Sequence, residues 1–219
     1  MAKKRIGVVL SGCGVYDGSE VYEAVLTLFF LDRIGVDVVC MAPDIVQTRV
    51  INHVTGQETG EQRQVLLESA RLTRGKIRAL NDVMASDLDG IILPGGFGAA
   101  HNLSSLASDG ANAWVVPELS SLLLALYQAK KPIGAICIAP AIIARVLADQ
   151  GITVTIGNDS ATAGVIGQTG NRHETSRVDQ VVIDETHHIV TTAAYMCATS
   201  IGEAGIGIEK LVKAVVERA

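Results

Sequence analysis

Two alanines flank a lone cysteine in Ala135-Ile136-Cys137-Ile138-Ala139, at the end of a short apolar run that begins after Pro132. A thiol is a strong nucleophile once deprotonated. A strand that turns sharply into a helix needs small residues two before and two after the turn, because larger side chains would collide across it. The segment from Pro140 to Leu147 reads as the helix that follows. Such a turn would lift the Cys137 side chain above a sheet and set it at a helix N-terminus. The positive end of that helix favours a thiolate. Cys137 is therefore the candidate nucleophile of a nucleophile elbow.

Leu93-Pro94-Gly95-Gly96 adds a second chemical element. Glycines let a backbone amide come close to a substrate oxygen, so Gly95 and Gly96 read as a substrate-facing loop. The Gly96 and Ile138 amides would form an oxyanion hole. No Gly-Lys-Ser/Thr follows, which excludes a P-loop. Glu23 lies in the second turn of a helix that is apolar from Ala24 to Leu31 except at Thr27. Two readings stay open for it. One is a solvated acid complementing the helix dipole. The other is a partly buried carboxyl with a raised pKa that moves protons at the site. Glu20, nearer the helix start, is the better dipole partner and is expected to face elsewhere.

Other patterns are weaker. Gly12 to Gly18 approaches a dinucleotide fingerprint, but its third glycine comes one residue late. No histidine adjoins Cys137. His101 and His173 could reach the site, while His53, His187 and His188 read as structural or solvated. Cys13, Cys40, Cys137 and Cys197 are far apart, with no CxxC pair and no metal-ligand spacing. Neither a metal nor a cofactor is expected.

The elements that must position these residues follow from composition and periodicity. The chain has 219 residues, 48% of them apolar and only 4% aromatic, which suits one aliphatic α/β domain over residues 1–219. Net charge is -5, and no basic cluster offers a nucleic-acid footprint. Lys3-Lys4-Arg5 precedes only five residues of apolar run, too few for a signal-peptide core or a membrane span. Dispersed cysteines point to reduced thiols in the cytoplasm. Strands are expected near Arg5–Leu10, Val36–Met41, Val50–Val54, Ile91–Leu93, Ile133–Ile136 and Ile152–Ile156. A hairpin is expected over Val181–Asp184 and Ile189–Thr192. Helices are expected from Ser19, as N-cap, to Ile34, over Glu61–Arg74, Val116–Lys130 and Pro140–Leu147, and from Tyr195 to Glu217. Gly157 to Asp179 reads as the loosest region. Alternating strands and helices predict an α/β fold with a mostly parallel central sheet, helices on both faces and a small β-hairpin. In such sheets the site lies at the carboxyl ends of the strands.

Taken together, Leu93-Pro94-Gly95-Gly96, Asn102-Leu103-Ser104 and Ala135-Ile136-Cys137-x-x-Pro140 resemble the PfpI/ThiJ superfamily. Val9 to Glu20, Ile51 to Gly56 and Thr191 to Met196 are similar to its isoprenoid-biosynthesis glyoxalase branch. The resemblance implies a class I glutamine-amidotransferase-like fold, a flavodoxin-like three-layer sandwich, and a homodimer. It gives Cys137 the nucleophile position, pairs Glu23 with that thiol, and gives the Gly96 and Ile138 amides the oxyanion. The implied activity is glutathione-independent conversion of glyoxal, or a related small 2-oxoaldehyde, to a 2-hydroxy acid, with a link to isoprenoid metabolism. Protease- and amidotransferase-type relatives carry a histidine after the cysteine, where this chain has Ile138, or after the next strand, near Gly157. Two other functions remain: a redox or stress sensor using Cys137, and an amidotransferase- or deglycase-type hydrolase.

Overall fold

A strand covered by helices on both faces must be apolar on both, which is why unbroken aliphatic runs form the centre of this molecule. The computed structural model describes residues 3–219. The chain runs β1 (Arg5–Val9), α1 (Val21–Ile34), β2 (Asp37–Ala42), β3 (Ile51–Asn52), β4 (Gln57–Glu58), α2 (Val65–Leu72), β5 (Arg78–Ala79), β6 (Gly90–Leu93), α3 (Phe97–His101), α4 (Leu106–Asp109), α5 (Pro117–Gln128), β7 (Ile133–Ile136), α6 (Ala139–Val146), β8 (Thr153–Val154), α7 (Ser160–Gln168), β9 (Arg172–His173), β10 (Val182–Asp184), β11 (Ile189–Thr192) and α8 (Ile201–Arg218). Seven strands form the central sheet in the order β10-β11-β7-β6-β1-β2-β5. Only the β10–β11 pair is antiparallel within it.

Successive side chains of β6 enter opposite cores. Ile91 and Leu93 pack in the cluster that includes Leu123 of α5 and Ile143 of α6. Ile92 packs in the cluster that includes Leu31 of α1 and Leu211 of α8. The chain therefore folds as an α/β flavodoxin-like sandwich with a mostly parallel sheet. Connections leave β1 in one direction and β6 in the other, so the carboxyl ends of these two strands open a crevice at the switch point.

Several elements differ from the sequence reading. The expected hairpin forms as β10 and β11, and the parallel pairing of β11 with β7 makes it one edge of the main sheet. Ser19 does not cap α1, because its hydroxyl accepts from the Ser11 amide at 2.8 Å. Glu20 is the N-cap, and its carboxylate accepts from the Glu23 amide at 2.7 Å. Helix α2 begins at Val65 rather than Glu61, since the Arg63 carbonyl is held by Gln47 N at 2.8 Å in extended backbone. Within the supposedly loose stretch, Asp159 caps α7 by accepting from Thr162 N at 2.8 Å. Tyr195 lies in a 3-10 turn, and α8 starts only after Ser200. The strand expected over Ile152–Ile156 shortens to β8 and pairs with β9 outside the main sheet.

Candidate functional site

Cys137 sits where β7 turns into α6, with φ 61. That left-handed backbone costs a non-glycine residue about 1–3 kcal/mol and persists only where neighbours hold it. Here the Cys137 amide donates to the Thr192 carbonyl at 3.0 Å. Ala135 and Ala139, both fully buried, leave the turn room. The Gly95–Gly96 loop is stitched to the loop after β1: Glu20 N donates to Gly95 O at 3.0 Å, and Phe97 N to Val15 O at 2.8 Å. Asn102 ties the same loops, its side-chain amide donating to Ser11 O at 2.9 Å and Asp17 O at 2.8 Å. Motif spacing gave Asn102 no such positioning role.

These links bring Glu23 against Cys137. Glu23 is fully buried, so the solvated reading does not describe it. Its Oε2 accepts from Gly95 N at 2.9 Å and its Oε1 from Tyr195 N at 3.2 Å, and the carboxyl is hydrogen-bonded to the Cys137 thiol. Burial pushes its pKa up to about 8, and the nearby Glu20 carboxylate adds to the rise. Burial also pushes the Cys137 thiol well up, and a charged Glu23 raises it further. The Gly96 and Ile138 amides donate to the sulfur and oppose that rise.

The helix N-terminus thus does not by itself yield a resting thiolate, contrary to the elbow argument. Two buried acids in contact lose their protons as one unit. The second ionisation is suppressed because it would place two anions together in a dry site. Loss of the first proton leaves one proton between carboxyl and sulfur. A carboxyl holding that proton exerts no negative charge on the thiol and donates to it instead.

Three site expectations change. Gly95 serves Glu23, not an incoming oxygen, since its amide is committed to Oε2. The Gly96 and Ile138 amides converge as expected, but on the sulfur. Glu20 does not face elsewhere: it is buried, its own pKa is raised by burial, and it lines the cavity above Cys137. A carboxyl that caps a helix with its oxygens turned inward is indistinguishable, in the sequence, from one turned to water.

Gly95 also fixes the spacing of the pair. A Cβ there would lie 2.5 Å from Cys137 Cβ and 2.8 Å from Glu23 Oε2. Gly95→Ala should therefore push the two apart, costing about 1–3 kcal/mol of stability and about 10²-fold in activity. Denaturant melts and initial rates measure the two effects; near-wild-type values for both would contradict this packing.

Among the described residues, no histidine lines the cavity. His101 stacks on Phe97 with ring centroids 6.2 Å apart, and His173 Nε2 accepts from Ile156 N at 3.3 Å. The glycine amides of the Gly12–Gly18 loop are not free to cradle phosphate: Gly12 N donates to Ser69 Oγ at 2.9 Å, Gly14 N to Ser19 O at 3.0 Å, and Gly18 N to Gly14 O at 2.7 Å. Among the described residues, no three His, Cys, Asp or Glu side chains gather as metal ligands. Cys137 opens instead into a cavity of about 580 Å³, walled by Glu20, Phe97, Leu106, Val165, Tyr195 and Met196 among others. Helix α7 and the turn bearing Tyr195, both missed in the sequence, build part of this wall.

Known proteins resemble this chain. Human glutamine amidotransferase-like class 1 domain-containing protein 3, mitochondrial, is 44% identical over 97% of this chain and 82% of its own length. The rat ES1 protein homolog, mitochondrial, is 42% identical over 98% of this chain and 84% of its own length. The crystal structure of an Ehrlichia chaffeensis isoprenoid biosynthesis protein with amidotransferase-like domain superposes with a TM-score of 0.92 at 36% identity, covering 98% of this chain and 99% of that one. Drosophila melanogaster DJ-1beta shares the fold, with a TM-score of 0.60 at 20% identity. The DJ-1/PfpI family model matches residues 13–201, and the chain belongs to that family.

Proposed function

We propose that this protein is a cofactor-independent glyoxalase that converts 2-oxoaldehydes to 2-hydroxy acids. The observation that carries the reading is the buried, hydrogen-bonded Cys137–Glu23 pair, with no histidine on the cavity wall. One thiol and one proton carrier suffice for an internal redox isomerisation, and glyoxalase/deglycase enzymes occur in the family. As Cys137 Sγ attacks the aldehyde carbon, the S–C bond forms and the C=O π bond opens. Glu23 takes the thiol proton and gives it to the new oxyanion, which lies within reach of the Gly96 and Ile138 amides. The freed carboxylate removes the aldehyde-derived C–H proton and delivers it to the adjacent ketone oxygen, giving an enediol. Glu23 then takes the hydroxyl proton from the sulfur-bearing carbon and returns it to the neighbouring carbon, so that the C=O bond of a thioester forms. Water releases the 2-hydroxy acid and regenerates the thiol. The aldehyde carbon is oxidised and the ketone carbon reduced, so no external oxidant enters.

The likeness to the Ehrlichia chaffeensis protein supports a place alongside isoprenoid metabolism. Four free cysteines support a reducing compartment; the human and rat relatives carry "mitochondrial" in their names. Among the described residues, no helix is long and apolar enough to cross a membrane. The test is turnover of methylglyoxal without glutathione, before and after EDTA. Lactate should form at the same rate in both. Loss with EDTA and recovery with zinc would reveal a metal centre. Ammonia release from glutamine, with no lactate, would replace this reading by a hydrolase.

A further inference from the structure

The cavity exceeds what the smallest aldehydes need. At about 580 Å³ it falls among the sites of about 300–1,000 Å³ that enclose drug-sized ligands. Glyoxal, with about four non-hydrogen atoms, can fill only a small part of it and gains correspondingly little binding. Away from Cys137 the wall is aliphatic and aromatic: Phe97 and Ala100 of α3, Leu106 and Ala107 of α4, and Val165 of α7. Phe97 remains 51% exposed beside this space. The charges on the wall have one sign. Glu20 and Asp159 contribute carboxyl groups, and no Lys, Arg or His is among the lining residues. Asp159 is held ionised by its hydrogen bonds to Thr162.

We propose that the cavity selects neutral 2-oxoaldehydes carrying an extended apolar tail and rejects those whose tail ends in carboxylate or phosphate. This specifies the substrate class of the glyoxalase reading and rests on it. The dicarbonyl end meets Cys137, and the tail lies along α3, α4 and α7. Burying the tail removes apolar surface from water at no polar cost. An anionic end would instead face like charge with no cation to pair it.

The experiment compares kcat/KM for methylglyoxal, butylglyoxal, hexylglyoxal and a hexyl analogue ending in carboxylate. Each added methylene should raise kcat/KM about fourfold until the cavity is filled. The carboxylate analogue should fall below methylglyoxal. Val165→Lys places a cation on the wall and should shift preference from the neutral hexyl compound towards the carboxylate analogue. A flat alkyl series, or wild-type preference for the carboxylate, overturns the proposal. If no aldehyde turns over, the glyoxalase reading falls, and ligand occupancy decides the cavity separately. In that case 2-octanone should protect Cys137 from iodoacetamide at far lower concentration than acetone, by the same factor per methylene. Protection independent of chain length overturns the assignment.

Discussion

Cys137→Ala should lower kcat for 2-oxoaldehydes by about 10³-fold or more, the scale on which enzymes lose a covalent nucleophile. No other thiol can take over. Cys40 packs in the core, where burial pushes its pKa up to about 11. The Cys13 pKa is raised by burial and the neighbouring Glu68 carboxylate, and neither Cys13 nor Cys197 lines the cavity. The fold should tolerate the change, because alanine meets the same φ 61 that cysteine already bears. Cys137→Ser is the sharper version: it keeps shape and hydrogen bonding, but a hydroxyl is far harder to ionise than a thiol. Both variants should melt within a few degrees of wild type and form no thioester detectable by intact mass. Lactate production above a tenth of the wild-type rate in either variant would remove Cys137 from the mechanism.

The legibility of this site follows from the range of the interactions that build it. The elbow is local: Ala135, Cys137 and Ala139 lie within one turn of chain, and the steric rule that demands them works at that range. The central strands were equally plain, because full burial writes itself as unbroken aliphatic sequence. Glu23 was ambiguous because both backbone groups holding its carboxyl come from far away, Gly95 N and Tyr195 N. A helix pattern shows that residue 23 is near an apolar face, not what caps its oxygens. Glu20 was misplaced for the same reason. Helix α7 was hidden by its own composition: Ser160 to Gln168 holds Thr and Gly, poor helix formers, and is fixed by the Asp159 cap and packing on α6. Because α7 supplies Val165 and Thr162 to the cavity, the apolar wall was invisible with it. The resemblance supplied the pairing of Cys137 with Glu23 but not the direction of the two pKa shifts, which depends on how completely water is excluded.

Glu23→Gln should separate proton transfer from nucleophilicity. The amide matches the carboxyl in shape but cannot accept the thiol proton or return it, so kcat should fall by about 10²–10⁴-fold. Glu20→Gln is no control, since Glu20 lines the cavity and helps raise Glu23; Asp32→Asn, exposed on α1, serves instead. Wild-type kcat/KM should rise with pH as Glu23 loses its proton, reaching half its limit near pH 8 and levelling above it, and Glu23→Gln should lose that limb. Iodoacetamide should still alkylate Cys137 in the variant, because removing the carboxylate charge removes one cause of the thiol's raised pKa. A purely structural role would depress labelling and turnover together. Stability carries its own signature. Glu23 rises from an ordinary value of 4.5 to about 8 on folding, so folding favours its protonated form. That contribution is complete below the unfolded value and is lost as pH rises through about 8. Wild-type stability should therefore decline across this window, by up to about 1.4 kcal/mol per pH unit. The glutamine variant lacks the decline, but its NH₂ cannot accept from Gly95 N or Tyr195 N, which leaves one buried donor unpaired at about 1–3 kcal/mol. Its melting temperature should lie below wild type at pH 5 and draw level or higher by pH 8. Parallel curves across that range, with turnover intact, would show that Glu23 neither titrates in the folded protein nor carries the proton.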